Sequence, residues 1–253
     1  SVVFSGQDIK ASSEDIPYPA RHVDSVSAAT AVAEKAALAV SGTGVGGPGN
    51  MLTCSVRAAV VYGSGSEEHL IPGLASRARR AGFPKAIVGD GNNVVDFVYA
   101  GNVAHAVVLA AQQLRLQSAA ASEGGNDGSG AAAAGGRAFF VTDDEPVPYG
   151  DFAGRVLSGL GYAVPAGASR AGMSLTKASI LAFLLRVLAM VVSPVVQIRP
   201  ELTARRIAEE GRTQRFDMSN ARKCLGYAPL WSQEEGLNIT LQASKSLRNP
   251  QAK

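Results

Sequence analysis

Histidine, cysteine and tryptophan are scarce in this chain, at three, two and one in 253 residues. His22, His69 and His105 show no metal-ligand spacing, and neither Cys54 nor Cys224 has a His or Cys neighbour that could complete a site, so no metal is expected. Each cysteine reads as a small buried apolar residue, which leaves the redox compartment open. Charge of one sign is not massed anywhere. A formal charge of +3 spread along the chain gives no electrostatic case for nucleic acid. No serine sits in a G-x-S-x-G elbow, and no Tyr-x-x-x-Lys pair occurs; the nearest shape, Tyr18 with His22, contains Pro19. The opening SVVFSGQDIK has no basic region followed by an apolar run and no initiator Met, so its strand-like VVF is expected to start inside a domain.

The composition is 46% hydrophobic and 18% charged, enough for one large or two small domains with a core. Residues 2–4 read as a strand end, and 25–40 as a helix that Asp24 can cap and Gly42 can end. The run MLTCSVRAAVVYG, 51–63, has the continuous apolar character of a buried parallel strand. Ser66 can cap a helix over 67–81, residues 85–88 and 94–99 read as short strands, and Asn102 can cap a helix reading NVAHAVVLAAQQL. Composition collapses to Ala, Ser and Gly over 117–136, which predicts a disordered surface insertion. A strand over 137–141, a helix over 149–160 and a Ser232–Glu235 capping box opening a last helix that runs to about Leu247 follow. Strands alternating with helices predict an α/β fold with a parallel sheet and a smaller appended region.

The segment 178–198, ASILAFLLRVLAMVVSPVVQI, is nearly all apolar but is interrupted by Arg186 and Pro194. A mid-segment arginine costs ~3 kcal/mol on membrane insertion, so a helix that dips into a membrane fits better than one that spans it. A buried or dimer-forming helix is the alternative.

Two glycine-rich stretches imitate a dinucleotide fingerprint. Gly42, Gly44 and Gly47 match G-x-G-x-x-G, but a helix precedes them and a strand follows, the reverse of what a phosphate cradle needs. Gly63 and Gly65 stand correctly between strand and helix, yet Glu68 occupies the third glycine position, so this reads as a turn at the carboxyl end of a sheet.

Several stretches together resemble the 3β-hydroxysteroid dehydrogenase family of extended short-chain dehydrogenases: SVVFSGQDIKASSEDIPYP at 1–19, VRAAVVYGSGSEEHLIPGL at 56–74, GDGNNVVDFVYAGNVAHAVVLAAQQL at 89–114, GRAFFVTDDEPVPYGDFAGRVLSGLGY at 136–162, AMVVSPVVQI at 189–198 and FDMSNARKCLGYAPLWSQEEGL at 216–237. The resemblance implies a Rossmann-type parallel sheet with a small, mostly helical substrate region, and NAD(P)-dependent oxidation of the 3β-hydroxyl of a sterol or steroid. In that family a Tyr-x-x-x-Lys pair on one helix transfers the proton. Aligned on AEKAAL at 33–38, the tyrosine position falls on Val26 and the lysine position on Thr30, so no catalytic pair is intact. The glycine fingerprint of the family and its acidic ribose ligand are likewise not found in this chain.

The resemblance further places Arg57, Tyr62 and Gly63 beside the cofactor and Asp96, Tyr99 and Asn102 beside the substrate, although Ala58 stands where proline is usual. It divides the chain into 1–62, the remaining part of a NAD(P)-binding domain, and 63–253, a sheet-completing and substrate-binding region. NAD or NADP is the cofactor and a sterol or steroid the partner it implies, with no nucleic acid, a homodimer possible in principle, and a location at the endoplasmic reticulum membrane or lipid droplets, otherwise the cytoplasm. The competing expectation is a non-catalytic pseudoenzyme or sterol-binding module.

Overall fold

A computed structural model describes residues 2–44, 50–64, 70–82, 87–122, 133–164, 174–192 and 203–249. In chain order these form β1 (Ile9–Ser12), α1 (Ser25–Ala39), a hairpin of β2 (Thr43–Gly44) and β3 (Asn50–Met51), β4 (Ser55–Ala58), β5 (Val60–Tyr62) and α2 (Leu70–Ala81). Then come β6 (Val94–Val95), β7 (Phe97–Tyr99), α3 (Ala100–Ser122), β8 (Ala138–Val141), β9 (Val147–Pro148) and α4 (Tyr149–Gly159). The chain continues through α5 (Leu175–Val192), α6 (Ala204–Gly211), β10 (Gln214–Phe216) and α7 (Gln233–Ala243).

The expected α/β fold with parallel pairing is present. β1, β10 and β6 pair in parallel, as do β4 with β8 and β5 with β7; β9 adds an antiparallel edge to β6. The single strand expected over 51–63 is divided, because its two halves serve different partners. Ala59 N–H still donates to Val141 O at 3.0 Å, whereas Val60 N–H already donates to Asp96 O at 3.2 Å. The strand expected over 94–99 breaks at Asp96 for the same reason: β6 pairs with β10 and β7 with β5.

The largest core cluster packs α2, α4 and α7 against β5 and β7, with Phe97 stacked on Phe152 at 3.8 Å between centroids and Tyr62 edge-on to Phe152 at 5.3 Å. A second lies between α3, β8 and the segment carrying Leu225 and Tyr227. A third contains Val2, Val3 and Phe4. These three residues are buried as expected but lie in a turn, not a strand.

Three further expectations are corrected. The helix α3 runs on to Ser122, Gln117 Oε1 accepts from Gly135 N–H at 3.0 Å, and Ala134 is buried, so both ends of the expected insertion 117–136 belong to the fold. Residues 123–132 lie outside the described residues. Asn102 is not the cap of α3, which begins at Ala100; its side chain is drawn to the chain's C-terminal segment instead. The capping box does form, with Ser232 Oγ accepting from Glu235 N–H at 3.3 Å, but α7 ends at Ala243.

Candidate functional site

The helix α1 is built from alanine with a polar start. Asp24 caps it, Oδ1 accepting from Ser27 N–H at 2.7 Å, and Thr30 folds its hydroxyl back to Val26 O at 2.8 Å. Ser27, Ala31 and Glu34 recur at helical spacing and form the buried face. Between α1 and β4 lies a cleft of about 470 Å³, whose walls include Val2, Val26, Thr30, Glu34, Arg57 and Arg205. The two positions expected to hold the proton-transfer pair therefore both line it. Val26 is 59% exposed.

Beneath the cleft is a buried ion pair. Glu34 Oε1 accepts from Arg57 Nη2 at 2.8 Å, Arg57 Nε at 3.1 Å and Tyr18 Oη at 2.6 Å, while Oε2 accepts from Ser55 Oγ at 2.6 Å. Arg57 Nη1 donates to Glu14 O at 3.1 Å, and the carboxylate of Glu14 receives Phe140 N–H at 2.7 Å and Asn220 Nδ2 at 2.6 Å. Burial pushes the Glu34 carboxyl up, but the hydrogen bonds from Arg57, Ser55 and Tyr18 outweigh it and hold the group below its ordinary value. Tyr18, the phenol of this network, moves the other way: burial and the bond to Glu34 raise it, even with Arg57 beside it. A phenol donating to a carboxylate holds its proton, so Tyr18 is not poised to accept one.

The other expected site residues gather elsewhere. Asp143 is the hub, accepting from Tyr62 Oη at 2.8 Å, Tyr99 N–H at 2.9 Å and Asn102 Nδ2 at 2.7 Å. Asn102 also donates to Trp231 O at 2.8 Å and accepts from Leu230 and Trp231 N–H at 2.9 and 3.1 Å. Burial, with Asp143 alongside, pushes the Tyr62 phenol far above its usual range. Gly63 lies at the end of β5 because a Cβ there would meet the Ala100 Cβ at 2.9 Å. Asp96 is buried where the strands hand over, with Oδ2 accepting from Phe216 N–H at 2.7 Å; burial lifts its carboxyl to about 6. Arg57 thus borders the cleft, Tyr62, Tyr99 and Asn102 meet at the Asp143 hub, and Asp96 stands apart. Sequence reasoning missed Glu34 and Asp143. Glu34 was visible as the lone carboxylate on the face shared by Ser27 and Ala31, and Asp143 as the acidic step directly after an apolar strand.

Among the described residues, those around Gly42 and Gly44 do not form a cradle that fits a nicotinamide dinucleotide. Thr43–Gly44 pairs antiparallel with Asn50–Met51, so the stretch 42–51 is a hairpin between helix and strand; residues 45–49 lie outside the described residues. A hairpin has no helix N-terminus to aim at a pyrophosphate. At the cleft, the two positions that the resemblance gives to a phenol and an ammonium carry an isopropyl and a 1-hydroxyethyl group.

The 3-beta hydroxysteroid dehydrogenase/isomerase family matches residues 1–169. The chain is 36% identical over 248 residues to the sterol-4-alpha-carboxylate 3-dehydrogenase, decarboxylating, of Mus musculus, covering 98% of this chain and 62% of that protein. It is 35% identical to 3beta-hydroxysteroid-dehydrogenase/decarboxylase isoform 2 of Arabidopsis thaliana, covering 98% of this chain and 40% of that one. The chain spans less than two thirds of the length of these curated relatives. Among solved structures, a dTDP-glucose 4,6-dehydratase of Streptomyces venezuelae with NAD bound superposes with a TM-score of 0.57 at 16% identity, over 94% of this chain and 56% of that one. A UDP-galactose 4-epimerase gives 0.55 at 15% identity over 96% and 60%. These neighbours share the Rossmann-type fold of extended short-chain dehydrogenases. With its parallel α/β core, its α1–β4 cleft and this likeness over nearly its whole length, the chain belongs to the 3-beta hydroxysteroid dehydrogenase/isomerase family.

Proposed function

We propose that this chain is the sheet-completing and substrate-side portion of a sterol 3-dehydrogenase-type protein, and that it carries out no hydride transfer itself. The observation that carries the reading is the cleft. Val26 and Thr30 line it while the Glu34–Arg57 pair beneath is intact, so the scaffold of the site stands and its proton-transfer groups do not. Arg57 remains the residue that borders the cofactor side, and 1–62 and 63–253 remain the natural division of the chain. The role left is binding, of a sterol or steroid or of a partner. The test is turnover: a 3β-hydroxysterol 4-carboxylate with NAD or NADP is expected to produce no absorbance at 340 nm above the protein-free rate. Restoring Val26→Tyr and Thr30→Lys together is expected to leave the rate at that level, because the chain lacks the glycine cradle. NAD-dependent turnover by either protein would overturn the reading.

Contact with a membrane belongs to the same proposal. The helix α5 buries Ala178 and Ala182 against Ile207 but exposes Ile180, Leu181, Phe183, Leu184 and Val187. In this reading α5 rests on a bilayer surface through these apolar side chains; among the described residues no helix is long and apolar enough to cross a membrane. Endoplasmic reticulum or lipid droplets are the matching location. Co-sedimentation with phosphatidylcholine vesicles, lost in Phe183→Glu/Leu184→Glu, checks this; unchanged sedimentation of that variant would refute it.

A further inference from the structure

Charge that the sequence scatters is gathered by the fold at one place. Arg79 and Arg80 stand in the last turn of α2, while Lys245 opens and Arg248 follows a single 3₁₀ turn, Lys245–Leu247, just beyond α7. Tyr162 joins the two segments: Arg79 Nε donates to its Oη at 3.4 Å, and that Oη donates to Leu247 O at 3.3 Å. The residues past α4 complete the joint, with Leu160 O accepting from Asn249 N–H at 2.8 Å. Packing forces the approach. Tyr162 belongs to the largest core cluster, Leu241 and Leu247 pack against that cluster, and a Cβ on Gly159 would meet Leu241 Cδ1 at 2.5 Å. The ends of α2, α4 and α7 therefore meet on one surface.

Four cations are thus exposed together: Arg79, Arg80, Lys245 and Arg248. The stretches that build this surface, 70–82, 156–164 and 240–249, contain no Asp or Glu, and among the described residues no carboxylate pairs with Arg79, Lys245 or Arg248. The concentration is local. The chain carries 24 Lys and Arg against 21 Asp and Glu, so without these four the remaining 20 cations are outnumbered. Helix dipoles account for part of the cluster, because a cation in a last turn complements the unpaired carbonyls there. They do not account for all of it: α4 and α7 have no basic residue in their last turns, and Arg248 lies beyond the 3₁₀ turn. The three stretches also expose no large apolar side chain. A protein partner is anchored by apolar and aromatic groups that it buries, whereas a headgroup layer needs only cations spread over a surface.

We propose that the joint of α2, α4 and α7 is an electrostatic docking surface for the anionic phospholipid headgroups of a bilayer, carried by Arg79, Arg80, Lys245 and Arg248. The inference rests on the reading that the chain contacts a bilayer, and it adds a second contact of different chemistry. The helix α5 offers apolar side chains and takes no account of headgroup charge; this surface offers charge alone and selects lipid by headgroup. Each cation brought to an anionic surface favours the bound state by roughly fivefold, so the four together raise binding at least about tenfold.

The experiment compares partition of the chain onto vesicles of phosphatidylcholine alone and onto vesicles that also hold about 30 mol% phosphatidylserine. The anionic lipid is expected to tighten partition at least about tenfold, an increment lost at about 1 M salt, where the screening length falls to about 3 Å. Arg79→Gln/Arg80→Gln/Lys245→Gln/Arg248→Gln is expected to abolish the increment and to leave partition onto phosphatidylcholine unchanged. Should that variant melt early, Lys245→Glu/Arg248→Glu serves the same test, since among the described residues neither side chain makes a hydrogen bond, and it is expected to cut the increment to near one. Lys10→Gln/Arg21→Gln/Arg115→Gln/Lys223→Gln removes the same charge from exposed positions elsewhere and is expected to keep the increment. No increment for the parent, its survival in the fourfold variant, or its equal loss in the control would overturn the proposal. So would tighter binding to polyglutamate than to the mixed vesicles, which would make the occupant an acidic peptide. Failure of the α5 contact shows separately, as no binding to phosphatidylcholine alone, and leaves the difference between the two vesicles to be read.

Discussion

Removing the Glu34 carboxylate tests whether the floor of the cleft is held together electrostatically. The side chains of Arg57 and Glu34 are 4% and 5% exposed, so Glu34→Ala leaves a guanidinium in a low-dielectric site with only Tyr18 and the Glu14 carbonyl for company. Breaking one partner of such a pair costs ~3–5 kcal/mol. At about 2–4 °C per kcal/mol for a chain of this size, the melting midpoint should fall by about 6–20 °C. Removing both charges together, as Glu34→Leu/Arg57→Met, should recover most of that loss, because no buried ion is then left unpaired. Differential scanning calorimetry of the two single variants and the double variant yields the coupling energy directly. The pair also carries a pH signature. Because the folded value of Glu34 lies below its ordinary 4.5, the stabilisation is complete above that value and is lost as pH falls through the folded value. Glu34→Gln should therefore flatten the acid limb of the stability curve. A midpoint in Glu34→Ala within 2 °C of the parent would refute the argument, since it would mean water screens the pair.

Asp96 should show the opposite pH dependence. Its carboxyl is lifted to about 6, so the folded chain binds a proton more tightly than the unfolded one, and stability falls as pH rises from 3.8 through about 6. A rise of roughly two pH units is worth ~3 kcal/mol. Asp96→Asn keeps an acceptor for Phe216 N–H, so its midpoint should exceed the parent's at pH 8 and match it at pH 4; a lower midpoint at pH 8 would count against this. Asn102→Ala leaves Leu230 N–H, Trp231 N–H and Trp231 O without their partner and should cost about 2–4 kcal/mol. Trp231 is the one tryptophan, so a red shift of its emission reports whether the C-terminal segment has lifted from Tyr99, and an unshifted spectrum would sink the idea. Gly236→Ala would place a Cβ 2.8 Å from Tyr62 Oη and from Tyr99 Cγ, an overpacking worth about 1–3 kcal/mol by thermal melt; a neutral result would mean α7 can shift freely.

Much of the local structure was legible in the sequence because the cause was local. Asp24 before an alanine-rich run caps α1, and Ser232 with Glu235 closes the box at α7, since each needs only neighbours three residues away. The apolar run over 138–141 is a buried strand for the same reason, every residue in it having to avoid water. The reversed order of helix and strand around Gly42–Gly47 was also readable without coordinates, as was the absence of a phenol–ammonium pair.

Tertiary structure decided what depends on residues far apart in the chain. Nothing within MLTCSVRAAVVYG marks Ala59 as the point where pairing passes from β8 to β7; that division exists because the partners are set by strands arriving eighty and forty residues later. Asn102 has the local character of a cap, yet its amide bonds a segment some 130 positions on, because burial makes the unpaired amides of Leu230 and Trp231 costlier than a frayed helix start. The cleft belongs to this second kind. By itself the sequence determined that Val26 and Thr30 carry no acid–base chemistry, since side-chain identity alone settles that. Only the fold could set those two residues opposite β4, because the wall they face comes from a different element, and the cleft is the space the two elements leave between them.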